Sequence, residues 1–319
     1  MEVAKKQSVK YWSQFAVQML LGLMFLVSSI LKACDIESFE LYVFSLNILN
    51  FDLCSFAARL LIIFEAFVGT ALIINVFKKT ALILSALSLV GFSIFLLWRI
   101  ILGDTESCHC MGELVDLNPV ASLVKNLVLG LMLWFIWKSP NFLKDLAGRK
   151  LRLAADVALG VVMIAVTSVS FAVIPPDFFY RMGSSPDDFV NDQFLPVAEA
   201  LDLVEGKHIL CFYSTECPHC RSCASKMASI ISRHDIPTDS VKVIFMQLEA
   251  EPADQDAAVD RFFRDFGNGL QLPYSSIHPY TFIPLTKGFM PIVILYEDGA
   301  VVKEYDYLTI DEYEIAEFL

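Results

Sequence analysis

The chain has 319 residues, 56% of them hydrophobic, with a formal net charge of −12. It is too apolar for a protein lying wholly in water and too acidic for one that binds nucleic acid. The charge is unevenly divided: residues 1–175 hold 14 Lys and Arg against 12 Asp and Glu, and residues 176–319 hold 10 against 24. A near-neutral apolar half and an acidic half imply one domain in a lipid bilayer and one in water.

Five apolar runs are long enough to cross hydrocarbon, roughly 15–33, 56–77, 81–102, 120–137 and 153–174. Lys5, Lys6 and Lys10 before the first run also fit a signal peptide, and Leu31-Lys32-Ala33-Cys34 a poor lipoprotein cleavage site. Four further spans favour retention. The loops set an orientation. The N-terminus, the Lys78-Lys79 link and the link with Lys138, Lys144, Arg149, Lys150 and Arg152 are basic. Loops 34–54 and 103–118 carry Asp and Glu with no Lys or Arg. This alternation predicts a cytoplasmic N-terminus and an extracytoplasmic C-terminal domain, where disulfides persist. The expected place is a bacterial inner membrane.

The eight cysteines follow that topology. Cys34 and Cys54 border the first outer loop, Cys108 and Cys110 lie in the second, and Cys211, Cys217, Cys220 and Cys223 fall in the outer domain. None is expected at the cytoplasmic face. A Cys-x-Cys disulfide closes a small, strained ring, and strained bridges are reducible. Cys108 and Cys110, alone or with Cys34 and Cys54, are therefore redox candidates; structural disulfides are the plainer reading.

Charged groups within spans need an explanation, since each costs about 3 kcal/mol in hydrocarbon. Lys32, Arg59 and Arg99 are expected to snorkel towards the outer ends of their spans. Lys125 lies in the outer half of span four beside Asn126. Glu65, near the middle of span two, should face the bundle interior and be paired or protonated. It is a packing ion pair, a proton carrier or a quinone head-group ligand.

In the outer half, 175–195 reads as a Pro-, Gly- and Asp-bearing tether, 197–204 as a short helix and 207–213 as a strand. Cys217-Pro218-His219-Cys220 follows, opening a helical run over 221–232. A strand feeding a helix through Cys-x-x-Cys is a redox layout, because the helix N-terminus favours a thiolate at the first Cys. A zinc half-site or a structural disulfide is the alternative, but no second Cys/His pair with zinc spacing follows. A strand over 241–248, a helix over 252–266 with Phe262 and Phe266 at helical spacing, and an aromatic-rich loop over 267–289 come next. Met290-Pro291 then leads into an apolar run, Glu297-Asp298-Gly299 turns a hairpin, and 311–319 closes as a helix.

This order resembles the thioredoxin fold over about 120 residues. The resemblance implies a cis Pro291 packed on the Cys-x-x-Cys turn, with the Met290 backbone able to bind an extended substrate. Pro218-His219 resembles the dipeptide of DsbA-type oxidants, in which a cationic His stabilises the thiolate and makes the disulfide more oxidising. Cys223, one turn beyond Cys220, is a buried thiol, a third relay member or a metal ligand. Cys211 is a buried core thiol.

The first half carries Phe25-Leu-Val-Ser-Ser-Ile-Leu-Lys32, Glu65 followed by Gly69, Cys108-His-Cys-Met-Gly112 and Lys125-Asn126. Their order resembles the MauE-like branch of the DoxX-type four-helix membrane family, with Met111 where that pattern has an aromatic residue. MauE is associated with maturation of a disulfide-rich periplasmic dehydrogenase, so the resemblance implies thiol–disulfide chemistry at the outer face. The architecture is also similar to vitamin K epoxide reductase-like proteins, with a quinone-binding bundle.

The expected fold is an all-α membrane bundle, four helices plus a fifth, followed by an α/β thioredoxin-like domain. Its boundaries are 1–140, 141–195 and 196–319. The expected function is a thiol–disulfide oxidoreductase relaying electrons from extracytoplasmic protein thiols through Cys217 and Cys220 to the membrane-domain cysteines and a quinone pool. His219, Met290 and Pro291 contact substrate, and no resident metal is expected. An extracytoplasmic disulfide reductase or isomerase, and a copper-binding assembly factor using the Cys217 cluster, are the rivals.

Overall fold

The computed structural model describes residues 2–102, 118–139, 149–183, 191–200, 203 and 205–319. The chain divides into two compact units. One is Met1–Phe39 with Phe56–Pro175; the other is Glu40–Ser55 with Pro176–Leu319.

The first unit is helical. Its long helices are α1 (Glu2–Cys34), α3 (Phe51–Ile74), α4 (Lys78–Ile101), α5 (Pro119–Ile136) and α6 (Arg149–Ser168), and a short α2 (Ile36–Ser45) follows α1. Five helices are long and apolar enough to cross a membrane. The protein is a membrane protein. Leu21, Phe25, Val68, Leu72, Leu89, Leu129 and Leu133 form the interior of the bundle. Ile83, Leu87, Ile94, Val161 and Ile164 point outwards and stay exposed, as lipid-facing side chains do.

Two glycines let α1 and α3 meet. A Cβ on Gly69 would lie 2.8 Å from the Gly22 carbonyl oxygen, and one on Gly22 2.9 Å from that of Gly69. Small residues at such a crossing let helix backbones touch. The basic side chains expected to snorkel do otherwise. Lys32 is fully buried, its ammonium 2.7 and 2.8 Å from the two Glu65 oxygens. Arg59 is also buried and donates to the Ser170 and Ile174 carbonyls at 2.7 and 3.0 Å. Those carbonyls belong to a π-helical turn (Val169–Val173) and its cap at the end of α6, where the helix leaves acceptors without partners. A carboxylate and a set of open carbonyls hold these cations more firmly than a distant interface would. Arg99 is buried as well.

The second unit is built on a five-stranded sheet, β1 (Lys207–Tyr213), β2 (Val241–Met246), β3 (Tyr274–Ile277), β4 (Ile292–Glu297) and β5 (Ala300–Asp306). The order is β3-β2-β1-β4-β5. β1 pairs parallel with β2 and antiparallel with β4. Alternation along β1 serves two cores. Ile209, Cys211 and Tyr213 face α9 (Pro218–Arg233) and α10 (Pro252–Phe266), through Met227, Ile230, Val259 and Phe262. Leu210 and Phe212 face Ala198 of α8 (Asn191–Ala200) and Phe282 of α11 (Pro279–Leu285). With the closing α12 (Glu312–Phe318), this is a thioredoxin-like α/β layer structure.

Three stretches read as loop or tether hold regular elements. Loop 34–54 contains α2, whose Leu41 and Phe44 belong with Phe51 to the second unit and form part of its core. The 267–289 loop contains β3 and α11, both short and bounded by Pro, which hides their period. The described part of 175–195 contains α7 (Asp177–Gly183). Asp177 accepts from Lys226 at 2.8 Å, and Arg181 pairs with Asp52 and Asp311.

Candidate functional site

β1 ends at Tyr213, and a tight turn carries the chain into α9. Cys217 is the N-cap residue of that helix and Pro218 its first residue, where a missing N–H costs nothing. The two thiols therefore sit one turn apart in different surroundings. Cys217 is half-buried, with its sulfur 4.0 Å from the Met290 carbonyl oxygen. Cys220 is fully buried and accepts from the Ser214 N–H at 3.4 Å. Burial, aided by the neighbouring Cys217 and Cys223 sulfurs, pushes the Cys220 thiol far above its ordinary range. An accessible sulfur at a helix N-terminus beside a buried one that holds its proton divides the labour of thiol–disulfide exchange. Such an arrangement lets the accessible sulfur meet a thiol or disulfide while the buried one can leave and take up a proton.

The Met290–Pro291 peptide bond is cis. It brings the Met290 carbonyl to the Cys217 sulfur, while the exposed Phe289 flanks it. His219 stacks on Tyr307 with ring centroids 4.5 Å apart and planes 22° apart. Nothing in the sequence spacing announced Tyr307; it arrives from the β5 end of the hairpin.

Beneath Cys220 lies a second thiol layer. The Tyr213 hydroxyl donates to the Cys223 sulfur at 3.5 Å and also bonds Cys211. Both cysteines are buried, and burial pushes the Cys211 thiol up to about 12. Lys226 was also missed. It sits on the buried face of α9, spaced three residues from Cys223, and this spacing is the available signal. Its ammonium meets Asp177, the Tyr307 carbonyl at 3.4 Å and the Phe51 ring at 3.9 Å.

The other site candidates are scattered. Cys34 is the exposed last residue of α1. Cys54 is buried in the first turns of α3, its thiol donating to the Leu49 carbonyl at 3.4 Å. Cys108 and Cys110 lie outside the described residues. Within the bundle, α1, α3, α4 and α5 border a partly open cavity of about 50 Å³. Ser28, Glu65, Ser88, Lys125 and Asn126 line it, opposite Phe25 and Phe92. Among the described residues no cluster of three or more His, Cys, Asp or Glu side chains is arranged to hold a metal ion.

Both halves have known counterparts. Residues 10–138 match the family model described as methylamine utilisation protein MauE. The chain is also similar to Protein TlpB of Flavobacterium psychrophilum, 22% identical over 345 residues, covering 92% of this chain and 91% of that protein. That match runs through both units. The crystal structure of StoA from Bacillus subtilis is similar to 36% of this chain over 83% of its own, at 23% identity and a TM-score of 0.25. The first unit therefore contains a MauE-type domain, and the strand order and helices of the second are thioredoxin-like.

Proposed function

We propose that this protein is a disulfide-forming oxidase whose own membrane domain re-oxidises its thioredoxin-like site. A substrate thiolate attacks Cys217 of the Cys217–Cys220 disulfide, and the Cys220 sulfur leaves and is protonated. A second substrate thiol then attacks the mixed disulfide and releases Cys217 as a thiolate. The substrate gains one S–S bond, and Cys217 and Cys220 hold the two electrons. Exchange with a membrane-domain disulfide passes them on, with Cys108 and Cys110 as first acceptors and Cys34 and Cys54 as further members. A quinone supplies the final two-electron, two-proton sink.

The observation that carries this reading is the asymmetry of the two thiols, one accessible at a helix N-terminus and one buried and protonated. Its direction is supported by the cysteine distribution: on the orientation set by loop charge, all eight fall on one side. A carrier of electrons from cytosolic thiols needs cysteines reachable from inside. Substrates are extracytoplasmic proteins with free thiols, and the place of action is the outer face of a bacterial inner membrane.

The test is a trap. With Cys220→Ala, Cys217 forms mixed disulfides it cannot resolve, and peptide mapping under non-reducing conditions should find Cys217 joined to Cys108 or Cys110. A map lacking both removes the internal relay. In cells, the Cys217–Cys220 pair should be mostly oxidised and become reduced when quinone is depleted. A pair that stays reduced whatever the quinone level would make the protein a reductase or isomerase instead.

A further inference from the structure

The acceptor in that reading needs a place, and the bundle supplies one. We infer that the cavity between α1, α3, α4 and α5 binds the quinone ring, with Lys125 as its principal donor. This rests on the oxidase reading and gives its electron sink a location.

Lys125 is the observation that carries it. It sits six residues into α5, about 9 Å from the helix start at 1.5 Å per residue. It lines the cavity, and among the described residues its ammonium has no ion-pair or hydrogen-bond partner. A lone ammonium at that depth is unfavourable unless an acceptor meets it. Glu65 is not that acceptor, because both its oxygens already take the Lys32 ammonium, which also donates to Ser28 at 2.8 Å. Among the described residues the cavity wall therefore carries one cation in excess. Asn126, at 3.4 Å from the Ser93 hydroxyl, and Ser88 add further polar groups.

What fits is an apolar planar molecule with oxygen acceptors at its rim. Phe25 and Phe92 offer ring faces and the polar groups offer donors, the usual mixture in a small-molecule site. Depth favours a molecule dissolved in hydrocarbon over a phospholipid head group, whose phosphate lies at the interface. The chemistry closes: a dithiol loses two S–H bonds and gains one S–S bond, and the quinone gains two O–H bonds and becomes a quinol. The Lys32–Glu65 pair keeps proton-holding groups beside the ring.

The test uses the full chain purified in mild detergent, with ubiquinone and menaquinone extracted and quantified per mole of protein, and a photoreactive azidoquinone as labelling probe. Two variants attack the site differently. Lys125→Met removes the cation, and Leu129→Trp fills the space. Both should lower bound quinone about tenfold or more and abolish labelling of α5 peptides, while Lys125→Arg retains both. Melting curves identify the folded variants to be scored. Quinone retained equally by both variants overturns the cavity site and leaves the oxidase reading standing. Wild-type protein that holds no quinone and takes no label overturns the acceptor itself. Anionic phospholipid that co-purifies in place of quinone and is lost with Lys125→Met makes the cavity a lipid site and overturns the inference.

Discussion

Cys211 shows how one buried thiol leaves a mark on the whole unit. It lies on the central strand, fully buried, and burial moves its thiol from 9.0 to about 12 against a small opposing effect of the Tyr213 hydroxyl. The folded state thus prefers the neutral form. Its contribution to stability is complete below pH 9, where both states are protonated. Above pH 9 the unfolded chain ionises first, and stability falls by about 1.4 kcal/mol per pH unit until the folded thiol ionises too. In Cys211→Val this decline should be shallower by that amount between pH 9 and 11, measured by denaturant unfolding of the solubilised protein. Equal slopes in the two proteins would show that Cys211 ionises normally when folded. Cys220 is shifted the same way, so its buried sulfur keeps its proton at neutral pH.

At the scale of elements, two contacts distant in sequence decide the packing. The α1–α3 crossing has no room for a side chain at Gly69, because a Cβ there meets the Gly22 carbonyl and the Leu26 backbone nitrogen at 2.8 Å. Gly69→Val should therefore destabilise the bundle by about 1–3 kcal/mol or more. Gly91→Val on α4 is the control, since nothing lies within 4 Å of its added Cβ. Detergent-resistant melting should separate them, and equal losses would refute the tight crossing. The second contact is the Lys226–Asp177 pair at 2.8 Å, its lysine buried and its carboxylate mostly covered. Lys226→Met leaves an unpaired carboxylate and should cost about 3–5 kcal/mol, whereas Lys226→Met with Asp177→Asn should recover much of it. A double variant no better than the single would show that Lys226 acts through its stem alone. The sequence patterns reveal these elements unevenly. Long apolar runs announce five helices, and the continuous short apolar run Ile209–Tyr213 announces β1 as a buried strand. A four-residue strand such as β3 and a seven-residue helix such as α11 repeat too few times to stand out. The Cys217–Cys220 turn is readable from spacing alone, but Tyr307 over His219 and Lys226 against Asp177 come from elements 88 and 49 residues away. Such partners exist only once the chain is folded.

For the molecule as a whole, charge and thiols divide along the same line. The first 175 residues are nearly neutral and the remainder carries 24 acidic side chains against 10 basic ones. An acidic domain stays soluble beside a membrane surface without being drawn onto anionic head groups. Basic residues gather in the N-terminal stretch, at Lys78-Lys79 and in the link before the fifth helix, and acidic residues occupy the two other loops. The positive-inside rule turns that alternation into a physical expectation. In a cysteine-free background, Asp254→Cys, exposed in the first helical turn of α10, should react with a membrane-impermeant maleimide in intact cells. Lys79→Cys, exposed at the start of α4, should react only after permeabilisation. Labelling of position 79 from outside would invert the chain. An inverted chain puts the eight thiols in the reducing cytosol, where a disulfide-forming oxidase has no lasting product, so this experiment bears on the chemistry as directly as on the topology.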